Sequence, residues 1–588
     1  MGFEYALVHA KYTIPPALVL TALYKPLLTR VDVYKIFFLI TVAVVSTIPW
    51  DSYLIRTGVW SYPSHVILGP KLFDIPLEEV FFFVIQTYNT SLLYLLLSKS
   101  TFQPLYLRVE RASTHPSGSR NPQWPWYRRL GQLLLLGIIG WGWSILRAHG
   151  PGTYTGLILV WAGPFLLLIW SLAYQFILGL PLINTLVPIA LPTVYLWIVD
   201  TLALRRGTWV INAKTKYGTY LWDGLEIEEA IFFLATNMLI VCGQVAFDNA
   251  LCVLYTFPNI FPDPPVVPSP LVLIKALVAS RSRYDENRLA GLEDAVSRLK
   301  RKSRSFYLAS STFQGQIRSD LLLLYSFCRV ADDLVDDASS AEEAGAWIKK
   351  IRKFLEIAYN GEIEKSAVEE FVYENFPREA QSALLQLPFK KLSRQPLEDL
   401  LHGFEMDLAF NTSTPIKTEE DLEVYAQKVA GTVAQMCNEL IFYIYDRNRP
   451  LQEQQSIIQA GGSMGIALQY VNIARDIAVD AKIGRVYLPL FWLKEANLSY
   501  DDVVKHPTGD VVEKMRSRLL QKAFALYKHS RGAIEELPSE ARGPIRVAVE
   551  SYMEIGRVLQ QEGYVVKAGR ATVPKARRLR VAWSVLNQ

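Results

Sequence analysis

Asn472-Ile473-Ala474-Arg475-Asp476-Ile477-Ala478-Val479-Asp480 places three polar side chains at four-residue steps inside apolar surroundings. On an α-helix that step stacks Asn472, Asp476 and Asp480 along one stripe, with Ile473, Ile477 and Val479 pointing elsewhere. The stripe is a row of hard oxygen ligands. Carboxylates one turn apart repel by a few tenths of a kcal/mol, so a cation is expected to offset them. A second row lies upstream in Arg329-Val330-Ala331-Asp332-Asp333-Leu334-Val335-Asp336-Asp337, where Asp332 and Asp336 share a face. Asp333 and Asp337, about 100° round the helix, read as solvated. A lone acid pair at this spacing is normally a solvated helix face. Two rows beside apolar runs, Leu321 to Leu324 and Met464 to Val471, argue instead for helices facing each other across a cavity. Two or three Mg²⁺ ions, each taking one or two carboxylates and otherwise held by substrate phosphates, would suit ionisation of an allylic diphosphate there.

The chain has 588 residues, too many for one core, and its halves differ. Residues 1–255 are dominated by Leu, Ile, Val, Phe, Trp and Tyr with few charges, whereas 276–588 read as a charge-rich helical protein. Between them, 256–275 hold the proline-rich run Phe257 to Pro270, which reads as a stiff, extended linker. Cys242, Cys252, Cys328 and Cys437 form neither CxxC pairs nor a disulfide framework, which argues against metal binding through sulfur. A net charge of +5 with few dense basic tracts argues against nucleic-acid binding. The basic run Lys575 to Arg580 is better suited to anionic membrane lipid. No basic region precedes the apolar run near Tyr5, so no cleavable signal is expected.

Segments long enough to span a bilayer occur near 4–23, 33–55, 77–97, 130–146, 155–178, 182–200 and 226–254, about 20 residues being needed to cross. The first carries Pro15-Pro16, which predicts a kink, and the fourth is short. Basic residues Lys99, Arg108, Arg111, Arg120, Arg128 and Arg129, and the Lys25 to Lys35 connection, predict cytoplasmic loops. With seven spans this puts the charge-rich half in the cytoplasm. Arg205, Arg206, Lys214 and Lys216 then fall on the opposite side, against the charge rule.

An internal repeat runs through this half. Asp51 is followed by Gly58 and Trp60, and Asp200 by Gly207 and Trp209, at identical offsets of seven and nine. Leu77-Glu78-Glu79-Val80-Phe81-Phe82-Phe83 and Ile227-Glu228-Glu229-Ala230-Ile231-Phe232-Phe233 follow, the first glutamates 27 and 28 residues beyond their aspartates. The copies lie four spans apart and so run in the same direction, as two three-helix units joined by one extra crossing. Ionisable groups in a bilayer cost roughly 2.5–3.5 kcal/mol at helix centre and mark function. A paired carboxylate in an apolar pocket can keep its proton near neutral pH, since desolvation and like charge both disfavour ionisation. Such an acid can protonate an alkene, and Trp60, Phe82, Trp209 and Phe232 could stabilise the cation through their π faces. The bland alternative is acids complementing a helix dipole.

In the charge-rich half apolar residues recur at helical spacing, so it is expected to be all-α. Ser303-Arg304-Ser305-Phe306-Tyr307 precedes the first row, and His402 to Leu408 precedes Tyr425-Ala426-Gln427-Lys428-Val429-Ala430-Gly431-Thr432-Val433. Gly431 suggests close approach by another helix or a long ligand. Arg329, Arg475 and Arg485 could clamp diphosphate oxygens in bidentate fashion. Gly461-Gly462-Ser463-Met464-Gly465 has no strand before it, so helix packing is expected rather than a nucleotide loop.

Arg329 to Asp336, Tyr425 to Val433, Asn472 to Asp480 and Arg485-Val486-Tyr487-Leu488-Pro489 resemble the motifs of the squalene/phytoene synthase family, over roughly residues 280–570. The resemblance implies an all-α isoprenoid-synthase domain in which Asp332, Asp336, Asn472, Asp476 and Asp480 bind Mg²⁺ (or Mn²⁺) and diphosphate. It puts Ser303, Ser305, Tyr325, Arg329, Gln469, Arg475, Arg485 and Tyr487 at substrate positions and Tyr425 at a catalytic one. Gln427 departs from the family's common aromatic residue. Pro76-Leu77-Glu78-Glu79 and the Glu228-Glu229 copy resemble heterodimeric-type lycopene cyclases in fused form, implying Glu78, Glu79, Glu228, Glu229, Asp51 and Asp200 as catalytic candidates. The whole chain looks like the fungal bifunctional lycopene cyclase/phytoene synthase family, a multi-pass protein of the endoplasmic reticulum or another internal membrane.

That resemblance implies condensation of two geranylgeranyl diphosphates, through a cyclopropyl intermediate, to phytoene. It also implies redox-neutral cyclisation of lycopene to a β-ionone ring, with no flavin or nicotinamide. Two rival readings are a squalene-type synthase using NADPH, and a membrane half that only anchors the synthase or binds carotenoid.

Overall fold

The computed structural model describes residues 2–107, 124–361, 365–411, 416–561 and 573–588. It divides into two compact units, Met1–Asp285 and Glu286–Gln588, both built almost entirely of helices.

The first unit contains, among the described residues, seven helices long and apolar enough to cross a membrane. They are α1 (Glu4–Leu27), α2 (Arg30–Arg56), α3 (Leu77–Ser98), α4 (Trp124–Arg147), α5 (Thr153–Gly179), α6 (Leu182–Arg205) and α7 (Ile227–Thr256). A capping box between Thr29 and Asp32 starts α2. Helix α7 is the centre of the unit, with 72% of its apolar window buried, and α4 lies at the edge with 6%. Helix α4 docks on α5 where Gly142 meets Gly156: a Cβ on Gly156 would lie 2.9 Å from the Gly142 carbonyl oxygen. Small residues are what let membrane helices approach so closely.

The two repeats meet each other at equivalent residues. Strands β1 (Trp60–Ser61) and β4 (Val210–Ile211) pair antiparallel with Ser61 opposite Val210, and Gln86 on α3 donates to Thr236 on α7 at 2.9 Å. Each repeat then makes a hairpin, β2 (Lys71–Leu72) with β3 (Ile75–Pro76), and β5 (Tyr220–Trp222) with β6 (Leu225–Glu226). A bulge between Tyr220 and Trp222 absorbs the extra residue of the second copy, which is why the offsets of 27 and 28 differ.

Three expectations are revised here. The bend foreseen at Pro15-Pro16 is taken up one turn earlier by a π-helical turn, His9–Thr13, so α1 continues without a break. The fourth segment, expected to be short, is long enough to cross a membrane, Pro125–Arg147 having 23 residues. Lys35 is not in a connection: it lies inside α2, 3% exposed, 2.5 Å from Asp248 of α7, which also accepts from Tyr94 and Gln103. Arg108, Arg111 and Arg120 fall outside the described residues. The first unit runs on through a helix α8 (Pro270–Leu277) that packs on α7.

In the second unit α9 (Glu286–Lys302) packs on α10 (Gly315–Asp336), which with α11 (Arg394–Leu408), α12 (Glu419–Ala426), α13 (Thr432–Tyr445), α14 (Leu451–Asp480), α15 (Asp510–Ser530) and α16 (Ser539–Leu559) surrounds one apolar core, with further helices between. A capping box of Thr418 and Asp421 starts α12, and a π-turn, Gln427–Gly431, joins it to α13. Gly431 and Gly465 are the contact between that turn and α14. A Cβ on Gly465 would sit 2.6 Å from the Ala430 carbonyl oxygen and 2.8 Å from the Gly431 Cα. The glycine run 461–465 therefore packs helices, as expected. The basic run is a helix, α17 (Lys575–Leu586), packed on α16 with Ala582 and Val585 buried and Arg577 2.6 Å from Glu554.

Candidate functional sites

The two acid rows end α10 and α14, and their side chains line one cavity of about 570 Å³. Asp332 and Asp336 enter from α10, and Asn472, Asp476 and Asp480 from α14. After Asp480 the chain turns through Gly484, whose φ of 73° suits glycine, and Arg485 comes back to bond Asp336 of the other row at 3.0 Å. The rows thus face each other. Arg329 pairs with Asp332 at 2.8 Å and with Asp333 at 2.5 Å, and Lys302 also reaches Asp333. Asp333 is thus a paired residue rather than the solvated one expected. Arg475 grips Asp476 through two nitrogens and also reaches Asn472.

Burial and the neighbouring Asp336 push the Asp332 carboxyl up to about 7, with Arg329 opposing. Burial and Asp476 push Asp480 up to about 7 in the same way. Raised carboxyls in a shared cleft are what a row of ligands looks like before a cation neutralises it. Among the described residues no three acids close on one point. That donor set fits ions that take one or two carboxylates each and fill their shells with phosphate oxygens and water.

Away from the acids the cavity becomes apolar. Leu400, Phe404 and Asp407 of α11 recur at one helical face, as do Tyr425, Val429 and Val433. Tyr325, Arg329, Gln469, Arg485 and Tyr487 line the cavity, and Arg475 does not. Ser303 and Ser305 are not among the lining side chains; Ser303 caps the helix Arg304–Ser310, its Oγ 3.5 Å from the Phe306 N–H. Gln427 packs against Gly431 and Gly462 rather than into the cavity. Asp407 and Tyr552 also line the cavity, though neither is among the site residues expected from the sequence. Asp407 accepts from Tyr487 at 2.9 Å and Tyr425 at 3.2 Å, and Tyr552 donates to Asn472 at 3.0 Å. The helical spacing of Leu400, Phe404 and Asp407 is a sequence signal for the first.

In the membrane unit the repeats converge on a second, small cavity of about 30 Å³, lined by Glu79, Glu229, Tyr5, Tyr62, Trp60, Trp209, Phe82, Phe232 and Phe233. Trp60 meets Phe232 edge-on at 6.2 Å, and Phe82 meets Phe233 at 6.0 Å. Glu79 accepts from Tyr5 and, at 2.6 Å, from Tyr62; Glu229 accepts from Tyr154 at 2.8 Å. Tyr5 and Tyr154 are separated by the same interval as Asp51 and Asp200, so the repeat extends into α1 and α5 and could have revealed both.

The other members of the repeat face elsewhere. Glu78 accepts from the Leu68 N–H at 2.6 Å and Glu228 from the Tyr217 N–H at 2.7 Å. They clasp equivalent loops and do not line the cavity, which revises the reading of each Glu-Glu pair as two like groups. Asp51 and Asp200 are 0% and 1% exposed and also lie off the cavity. Among the described residues their oxygens make no hydrogen bond.

The squalene/phytoene synthase family profile matches residues 299–577. The chain is 66% identical to the bifunctional lycopene cyclase/phytoene synthase of Pyrenophora tritici-repentis and 66% identical to that of Leptosphaeria maculans, each over 100% of both chains. A solved dehydrosqualene synthase in complex with ligand is similar at 23% identity and a TM-score of 0.42, covering 51% of this chain and 97% of that one. Because the likeness to these relatives runs unbroken through the repeated membrane half and both acid rows, the chain belongs to the bifunctional lycopene cyclase/phytoene synthase family.

Proposed function

We propose that the second unit condenses two geranylgeranyl diphosphates to phytoene and that the first cyclises lycopene. The observation that carries the synthase reading is the pair of acid rows facing each other in one cavity whose other lining residues are largely apolar. Asp332, Asp336, Asn472, Asp476 and Asp480 would hold Mg²⁺, with Mn²⁺ as an alternative. When bound, the metal supplies positive charge for the departing diphosphate. Arg329 and Arg485, now paired with the acids, exchange partners and take diphosphate oxygens, while Arg475 holds Asn472 and Asp476 in place. Leu400, Phe404, Val429 and Val433 hold the isoprenoid chains out of water, and Tyr425 and Tyr487 stand where the polar and apolar ends meet.

In the membrane unit, Glu79 and Glu229 are the proton-handling groups, with Asp51 and Asp200 behind them. One carboxyl protonates a terminal alkene of lycopene, the ring closes on the resulting cation, and a ring proton is returned to a carboxylate. No electrons are gained or lost. The aromatic walls stabilise the cation. The cavity has room for only about two water molecules, so the carotene end must part those side chains to bind. We place the protein in an internal membrane, with membrane lipid around the seven spans and the synthase unit on the cytoplasmic side. Giving membranes that contain the full chain geranylgeranyl diphosphate and Mg²⁺, then lycopene, and separating the products by chromatography tests both halves. Phytoene and cyclic carotene are expected; absence of either refutes that half.

A further inference from the structure

Asp407 stands apart from the other acids of the synthase cavity. It is on α11, not on either row, and is 8% exposed. Among the described residues it accepts hydrogen bonds from phenols rather than guanidinium groups: Oδ1 from Tyr487 at 2.9 Å and Oδ2 from Tyr425 at 3.2 Å. The two phenol rings stack at 5.1 Å and 21°, and Phe410 closes edge-on over Tyr487 at 5.2 Å. Arg485, Asp336, Asp332 and Asp480 act on this group only through space.

Leu400, Phe404 and Asp407 occupy successive turns of one face of α11, running from the apolar to the polar end of the cavity, and Val433, Val429 and Tyr425 do the same opposite. The stacked phenols therefore stand at the border, where carbon 1 of an allylic diphosphate lies when its head is among the acids and its chain among the aliphatic side chains. When the C–O bond breaks, its electron pair leaves with the diphosphate and a carbocation remains at that border. A freely rotating hydroxyl there would turn an oxygen lone pair on, or carry water toward, a cation that must be kept for carbon–carbon bond formation. A hydroxyl held by its bond to a carboxylate is fixed in place, and its ring is more electron-rich.

We propose that Asp407 is a positioning residue that fixes both tyrosine hydroxyls, so that the stacked pair shields and stabilises the allylic cation. The proposal rests on the synthase reading above. Asp407→Asn keeps the shape but leaves one acceptor oxygen for two donors. With the full-length, membrane-inserted protein, geranylgeranyl diphosphate and Mg²⁺, D407N is expected to lower kcat at least about tenfold while KM stays within about threefold. Carbon should shift from phytoene to water-captured prenyl alcohols, with lycopene cyclisation in the same preparation unchanged. Tyr487→Phe, which removes one hydroxyl and leaves the ring, should give a smaller shift toward alcohol and add little on top of D407N. A D407N protein with the wild-type product ratio, or with raised KM and unchanged kcat, overturns the proposal. If D407N loses folded protein, a wild-type product ratio in Y487F overturns it equally. A wild-type chain that releases no C40 product refutes the underlying reading instead.

Discussion

Replacing Tyr154 by Phe removes one oxygen and leaves the ring. The 2.8 Å hydrogen bond to Oε1 of Glu229 disappears with it, and among the described residues that carboxyl accepts no other. A hydrogen bond to a charged group contributes about 1.5–3 kcal/mol, and each 1.4 kcal/mol is about tenfold in rate, so Y154F should slow cyclisation by about 10- to 140-fold. The repeat supplies a built-in comparison. Tyr5 is the equivalent donor to Glu79, but Tyr62 donates to the same oxygen, so Y5F alone should cost less than Y154F and the Y5F/Y62F double about as much. Membranes holding each variant would be given lycopene, with cyclic carotene measured by chromatography. Phytoene formation by the same polypeptide controls for amount and folding. Y154F retaining more than about half the wild-type cyclisation rate, or losing both activities in parallel, would refute the reasoning.

Gly465→Ala puts a Cβ 2.6 Å from a backbone oxygen, so overpacking of about 1–3 kcal/mol should outweigh the ~1 kcal/mol of helix propensity gained. Phytoene synthesis should then fail at a lower temperature in a heat-inactivation series while cyclisation is unaffected. Lys35→Met leaves the Asp248 carboxylate buried and unpaired by a cation, at a cost of about 3–5 kcal/mol, and the K35M/D248L double should recover much of the thermal half-life of cyclisation. Asp332 and Asp480 lie at about 7 without metal and must ionise to hold it. Calorimetry in buffers of different ionisation heat should therefore show proton release on Mg²⁺-diphosphate binding, largest near pH 6–7 and fading about a unit above. No dependence on buffer would contradict the assignment.

The helical halves, the seven spans and the facing of the two rows were legible because each rests on a period: about 20 apolar residues to cross a bilayer, four residues to stack acids on a helix. What was not legible depends on contacts between segments far apart in the chain. Spacing cannot tell which member of Glu78-Glu79 faces a cavity; the hairpin decides that, by giving Glu78 the Leu68 N–H and leaving Glu79 to the tyrosines. Lys35 looked like a boundary charge because its partner Asp248 is far along the chain. Asp407 lies in the stretch His402 to Leu408 but acquires its setting from Tyr425 and Tyr487 only once three segments pack.

The most direct measurement is reciprocal. Asp332→Asn with Asp476→Asn in one full-length variant, and Glu79→Gln with Glu229→Gln in another, would each be assayed for phytoene formation and for lycopene cyclisation. The first variant is expected to cyclise lycopene but make no phytoene, and the second to make phytoene but leave lycopene open. Phytoene from the first, or cyclic carotene at the wild-type level from the second, would contradict the division of labour between the acid rows and the paired glutamates.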